Sequence, residues 1–335
     1  MAMMDELTTN GYTVIPNVLT SDECDSVWSN MWNWLEALPN GIKRYQPGTW
    51  GSDQWPISSH GVIKNYGIGQ ADWVWEVRLN ERVKSVFKTL YGTDNLLTSF
   101  DGACIMRPPE LVKCSTDNNS SWFHTDQGPV TSLRDGEDLR EERKMVQGFV
   151  SITDAAEDDG CLKVMHGSHL LHSEFWDTKP RSEWVKKDWY KLTDIEQDWF
   201  ASRNCRVVRV AAPRGSIVLW DSRLMHCNAY PRKNRENPGR WRVVVYTCME
   251  PAARASSAKI EARKRAFESG RTTSHWPSRC LVNSIHPHTY GKPLFFPDNR
   301  PMLFPPLVNL NIQDVSDRKR ELIVGKHYNK KLKLT

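Results

Sequence analysis

The chain has no apolar run of the ~20 residues needed to cross a bilayer as a helix, which argues against a helical membrane anchor. Its opening residues, MAMMDELTTNGY, carry neither a basic n-region nor an apolar h-region, so no secretory signal peptide is expected. KLKLT at the other end is not a peroxisomal S-K-L address. There is no C-x-x-C. The eight cysteines (Cys24, Cys104, Cys114, Cys161, Cys205, Cys227, Cys248 and Cys280) are scattered, several of them inside apolar strand-like runs. That pattern argues against a disulfide framework or a structural zinc and for reduced, buried thiols in a cytoplasmic protein. No internal repeat is present, which argues against a solenoid or propeller.

What the 335 residues do have is an ordinary globular composition, 39% hydrophobic and 25% charged, with an unusual 15 tryptophans. Tryptophan in such number builds a dense core, or a cleft that stacks on flat or apolar ligands. The net charge of +5 is unevenly spread. Residues 252–335 hold 16 Lys/Arg against 6 Asp/Glu, and residues 1–251 hold 29 against 34. The basic third is expected to dock on the acidic part of the same chain, or to meet an anionic partner such as nucleic acid.

Along the chain, GYTVIPNVL reads as a strand. Ser21 and Asp22 offer an N-cap, and Val27, Met31, Trp34 and Leu35 recur at helical spacing. A second helix is expected over Trp73–Tyr91, with 39–68 between them as a loop. From Leu96 the texture turns to short strands: LLTSFDGACIM, MVQGFVSITDA, GCLKVM, VVRVAAPRGSIVLWDS and RWRVVVYTCM. Pro, Gly and Asp clusters separate them, without helical periods between, which predicts an antiparallel two-sheet barrel. TSLRDGEDLREERK, residues 131–144, is a charged insertion, either a solvated loop or a lid. Residues 252–269 read as a basic helix, 272–306 as a Pro- and aromatic-rich arm, and the final NKKLKLT as frayed. The expected organisation is a β domain over 1–251 and a basic arm over 252–335 packing on it.

The chemistry centres on His124-Thr125-Asp126. A His and an Asp two apart on extended backbone point to the same side. His226 lies 102 positions later, at the end of the strand-like RGSIVLWDSRLMH. Two imidazoles and one carboxylate on one face of a metal make the facial triad of non-heme Fe(II) oxygenases, which leaves positions open for cosubstrate and O2. A 2-oxoglutarate cosubstrate needs its distal carboxylate fixed, and an inward-facing arginine suits it. GRWRVVVYTCM offers Arg240 and Arg242, and Arg242, which starts the apolar run, is favoured. Gln147 is a polar residue in an apolar strand, facing the cosubstrate or satisfying a polar pair in the core. Trp122, Phe123, Trp220 and Tyr246 are candidate substrate walls or simple packing. His166, His169 and His172 in HGSHLLH have metal-like spacing, but Gly167-Ser168 breaks any helix between them, and a turn is expected.

These residues together resemble the phytanoyl-CoA-dioxygenase-like Fe(II)/2-oxoglutarate-dependent oxygenases. The resemblance rests on His124-x-Asp126, on DDGCLKVMHGSHLLH, on RGSIVLWDSRLMH ending in His226, and on the strand that Arg242 begins, and it covers roughly Gly11–Met249. It implies a double-stranded β-helix (jelly-roll, cupin-like) fold, mainly β with flanking helices. It also implies iron, 2-oxoglutarate and O2 as cofactors, succinate and CO2 as coproducts, and ascorbate as a candidate stimulant. One departure stands out: Arg242 follows His226 by 16 positions, further than is common in the family, so Arg240 stays open. Asp126 is present, which favours hydroxylation over halogenation. The expectation is hydroxylation of an unactivated C–H bond in a small organic substrate. The alternatives are hydroxylation of a macromolecule, protein or nucleobase, and a barrel that binds without catalysis.

Overall fold

The computed structural model describes residues 2–52, 54–117, 121–129, 143–184, 188–287 and 304–332. The N-terminal part runs α1 (Ala2–Thr9), β1 (Tyr12–Ile15), α2 (Ser21–Ala37), β2 (Val62–Ile63), α3 (Asp72–Leu79) and α4 (Glu81–Tyr91). Then come β3 (Leu96–Thr98), β4 (Ala103–Met106), β5 (His124–Thr125), β6 (Val146–Ser151), β7 (Cys161–Met165), α5 (His172–Asp177), β8 (Tyr190–Lys191) and α6 (Asp194–Ala201). The last part holds β9 (Val207–Val210), β10 (Ile217–Asp221), β11 (His226–Ala229), β12 (Arg242–Tyr246), β13 (Met249–Pro251), α7 (Ser257–Glu268), α8 (Asp317–Val324) and α9 (Lys326–Leu332).

The strands form two antiparallel sheets and a separate pair. One sheet has the order β1-β10-β6-β12-β4-β2, the other β8-β5-β11-β7-β9, and β13 pairs with β3. Alternation along each strand sorts the side chains. Cys104, Met106, Phe149, Leu162, Val164, Val210, Val218, Trp220 and Val244 come from both sheets and pack into one cluster between them. The opposite parity of the larger sheet (Ile105, Val150, Leu219, Val243, Val245) joins a core shared with α2, α3, α4, α7 and α8. On the smaller sheet, Met165 and Cys227 pack outward against Phe175 and Trp176 of α5 and Phe200 of α6.

Local rules explain most of the elements, and three expectations need correction. Helix α2 is capped by Thr20, one residue before the expected pair, in a capping box with Glu23; its core face carries Trp32, while Trp34 is only half-buried. The single helix expected over Trp73–Tyr91 is two. Asn80 takes an extended backbone and its side chain accepts from the amides of Arg82 (3.0 Å) and Val83 (3.4 Å), which ends α3 and starts α4. Residues 2–9 form a helix that was not expected. The charged insertion at 131–144 lies outside the described residues except for its last two, as do 288–303 of the arm and the final three residues.

The basic C-terminal third is pinned to the rest of the chain. Arg263 is fully buried and donates to the carbonyls of Thr98, Pro277, Leu322 and Ile323. Arg254 pairs with Glu250, Arg279 with Asp188, Arg318 with Glu81 and Lys326 with Asp94. Four cations of this region therefore meet acidic residues of the preceding part. The eight cysteines are all free, and only Cys114 is not buried.

Candidate active site

The site is built where the two sheets face each other. Residues His226 and His124 are direct partners in the β11–β5 register, so both imidazoles emerge from the same face. Asp126 follows two residues after His124 and keeps to that side, its amide donating to the carbonyl of Ser222 at 3.2 Å. All three are buried, and among the described residues they are the only group of three or more His, Cys, Asp or Glu side chains placed to hold a metal ion. His226 Nε2 lies 3.3 Å and His124 Nε2 3.7 Å from Asp126 Oδ2. Two bonds of ~2.1 Å to one ion keep ligand atoms within ~4.2 Å of each other, so both spacings suit a shared divalent cation.

The tautomers also suit. His124 Nδ1 faces the carbonyl of Trp122 at 3.3 Å and His226 Nδ1 that of Leu224 at 2.9 Å, so each Nδ1–H donates and each Nε2 keeps its lone pair toward Asp126. Burial, helped by the neighbouring His226, pushes the His124 imidazole down to about 3, so it stays neutral. Burial works against ionisation of Asp126, yet the carboxyl is held well below the usual range, with His275 the largest opposing influence. Gln147, opposite Trp220 in the β6–β10 register, donates from Nε2 to Asp126 Oδ2 at 2.8 Å. It makes a buried polar pair, one of the two roles expected for it, with the carboxylate of the triad as partner.

A cavity of about 320 Å3 opens over these residues. Trp122, Trp189, Trp220 and Tyr246 give it an aromatic wall, and Lys64, Asp101, His275 and Asn283 a polar one. Trp122 stacks on His124 at 4.7 Å and on His60 at 4.2 Å. Phe123 does not belong to it. Its side chain has the other parity, is 1% exposed, and packs with Met165, Phe175 and Met225 behind the smaller sheet, which corrects its assignment as a wall.

Arg242 and Tyr246 share the inward face of β12, and Trp241, Val243 and Val245 the outward one. Arg242 is buried, lies over the Phe149 ring at 5.4 Å and donates from Nη1 to Cys104 Sγ at 3.3 Å, while its Nη2 has no partner among the described residues. It does not line the cavity itself. Asn228, which donates to Tyr246 Oη at 3.0 Å and reaches Cys104 Sγ at 3.8 Å, connects the two. Arg240 instead pairs with Asp159 at 2.8 Å beside Arg235. Of the HGSHLLH histidines, His169 bonds the Thr8 carbonyl and His172 that of Gln127, around a turn at Gly167 (φ +80°). His60, Asp101, Asn228 and His275 were not anticipated. Asn228 lies two residues after His226 on β11 and shares its face, and His60 reaches the site by stacking on Trp122, whereas Asp101 and His275 come from a loop and from an arm without periodicity, and nothing local in SFDGAC or SHWPS marks these two as sharing one cavity.

The chain is 26% identical over 289 residues to the Ava biosynthesis cluster protein O of Aspergillus versicolor, covering 84% of this chain and 88% of that protein. Among solved structures it is similar to the non-heme alpha ketoglutarate dependent carbocyclase SnoK from nogalamycin biosynthesis (16% identity, 75% and 83% of the two chains, TM-score 0.47). It is also similar to HygX from Streptomyces hygroscopicus (16%, 75% and 86%, TM-score 0.45). The family model described as Phytanoyl-CoA dioxygenase (PhyH) matches residues 7–229, a stretch that includes both histidines and the aspartate and ends before Arg242. The chain belongs to the phytanoyl-CoA dioxygenase family.

Proposed function

We propose that this protein is an Fe(II)- and 2-oxoglutarate-dependent dioxygenase that hydroxylates an unactivated C–H bond of a small organic substrate and releases succinate and CO2. The observation that carries the reading is the placement of His124, Asp126 and His226. Three buried donors converge on one point of a cavity, with both Nε2 lone pairs free for a metal and a neighbouring open space for other ligands. The two-sheet arrangement supports a double-stranded β-helix, with residues 1–251 as the oxygenase domain and 252–335 as an arm packed on it. Free, buried cysteines fit a reducing, cytoplasmic setting.

When bound, iron with 2-oxoglutarate and O2 supplies the oxidising chemistry. The chain's own residues supply placement. His124 and His226 present Nε2, Asp126 presents its carboxylate, and Gln147 fixes that carboxylate's orientation through Oδ2. Arg242 is a buried guanidinium with an unpartnered Nη2 and no carboxylate of the described chain beside it, which is the complement a buried dicarboxylate needs. Arg240 is already neutralised by Asp159 and leaves Arg242 as the anchor. Trp122, Trp220 and Tyr246 wall the space and limit water.

The test is succinate release from 2-oxoglutarate with Fe(II), ascorbate and a pool of small metabolites. Asp126→Ala should abolish it, and wild-type turnover in that variant would sink the triad. Arg242→Ala should raise the 2-oxoglutarate requirement by about tenfold or more, the scale of one lost charged hydrogen bond, whereas Arg240→Ala should change it little. The reverse order would move the anchor to Arg240.

A further inference from the structure

A second set of polar side chains lines the same cavity, and part of it comes from the C-terminal arm, beyond the stretch matched by the family model. Phe100 and Thr273 hold the two segments together. The Thr273 amide donates to the Phe100 carbonyl at 2.9 Å, and the Phe100 amide donates to Thr273 Oγ1 at 3.1 Å. Asp101 and His275 follow one and two residues later, and both line the cavity. The arm is further fixed by a bridge between Thr273 and Val282 and by Trp276, which is buried against Met145 and Cys248. Asp101 Oδ1 accepts from the Gly102 amide at 2.7 Å, and Oδ2 has no hydrogen-bond partner among the described residues. His275 Nε2 is also buried without a partner. His275 Nε2 is thus a buried polar atom left unsatisfied, a costly arrangement that a ligand would relieve, and half-buried Asp101 offers Oδ2 as an acceptor on the neighbouring segment of the same cavity.

We propose, resting on the oxygenase reading above, that Asp101 and His275 form a recognition pair for a hydroxyl group on an uncharged, ring-bearing small molecule. The hydroxyl donates to Asp101 Oδ2 and its oxygen accepts from the His275 N–H. A hydroxyl fits because one atom both donates and accepts. A ring fits because Trp122, Trp189, Trp220 and Tyr246 supply the rest of the wall. An anionic group does not fit, because the Asp101 carboxylate faces the same space and Lys64, the cationic side chain of this wall, is exposed at the rim. The cavity's 320 Å3 lies at the small end of ligand pockets and must also hold the cosubstrate, which suits a molecule of two rings at most.

Isothermal titration of the full chain loaded with Ni(II) and 2-oxoglutarate tests this with three probes: 2-naphthol, 2-methoxynaphthalene and 2-naphthoate. The naphthol should bind about tenfold more tightly than its methyl ether, the value of one hydrogen bond to a charged group, and the naphthoate more weakly than both. Asp101→Asn, which still accepts from the Gly102 amide, and His275→Ala should each reduce that preference to about twofold or less, and Asp101→Asn should do so with Ni(II) and 2-oxoglutarate binding unchanged. Equal binding of naphthol and ether to the wild type, absence of binding by all three, or a preference that survives in both variants overturns the pair. Failure of the wild type to bind Ni(II) or 2-oxoglutarate overturns the oxygenase reading instead. The naphthol preference is then measured on the metal-free chain, where the recognition pair stands or falls by itself.

Discussion

Gln147 and Asp126 show how the triad is held at the level of single residues. A carboxylate with two equivalent oxygens can swing, and the 2.8 Å bond from Gln147 Nε2 ties Oδ2 toward the two imidazoles. The histidines are held in the same manner through Nδ1 by backbone carbonyls. Such supporting contacts are worth roughly 10–100-fold in metal affinity. Gln147→Leu, close in volume but without the donor, should weaken Ni(II) or Co(II) binding by about that factor while leaving the thermal midpoint within a few degrees. A competition titration against a chelator measures the first, a melting curve of the metal-free protein the second. Unchanged metal affinity would mean that Asp126 is oriented by other means. The sequence singled out Gln147 as a polar intruder in an apolar strand, but its partner 21 positions away follows β5 of the other sheet, and only the facing of the two sheets brings them together.

At the level of elements, periodicity located the helices and alternation located the strands, because both patterns follow from one-sided burial. The inward face of β12, carrying Arg242, Val244 and Tyr246, was legible from parity alone, and the structure keeps that parity. What periodicity missed is the break at Asn80. Apolar residues continue at helical spacing on both sides, so the stripe alone shows no end; the signal was an Asn followed by Glu, an N-cap with an acidic first turn. Asn80 also donates to Glu23 Oε1 at 2.9 Å, joining α4 to the start of α2. Asn80→Ala should cost about 1 kcal/mol from the lost cap. Asn80→Asp keeps the cap acceptor but sets a second carboxylate against Glu23. Urea unfolding should therefore show the Asp variant less stable than wild type as well, and an Asp variant at wild-type stability would mean the Glu23 contact is negligible.

For the whole molecule, the C-terminal third completes the core that the larger sheet shares with the helices. Residues from Leu7 to Val324 join one continuous core, and α7 sets Phe267 against Trp75 and Phe100. Arg263 stitches α7 to β3, to α8 and to the arm through four carbonyls. Arg263→Met leaves those carbonyls without their donor at about 1–3 kcal/mol for each one that stays unsatisfied, so a total loss on the order of 3 kcal/mol or more is expected in denaturant unfolding. A loss below 1 kcal/mol would show that the arm is not tied down through this residue. Four cations of this basic region, read from sequence as a potential docking face for nucleic acid, pair instead with acidic residues of the preceding part.

The sequence by itself determined the residues of the proposed metal site and the strands that carry them. A His-x-Asp on extended backbone, a strand-borne His226 and the inward parity of Arg242 are local patterns whose meaning survives without coordinates. Tertiary structure decided everything that depends on which segments meet. It placed Arg240 on Asp159, turned Phe123 away from the cavity, set Gln147 on Asp126, and brought Asp101 and His275 into one wall from segments more than 170 positions apart. The physical reason is that backbone periodicity fixes only which side of an element a residue occupies. Its neighbours across the cavity are set by sheet register and by the path of loops, and neither leaves a periodic trace in the chain.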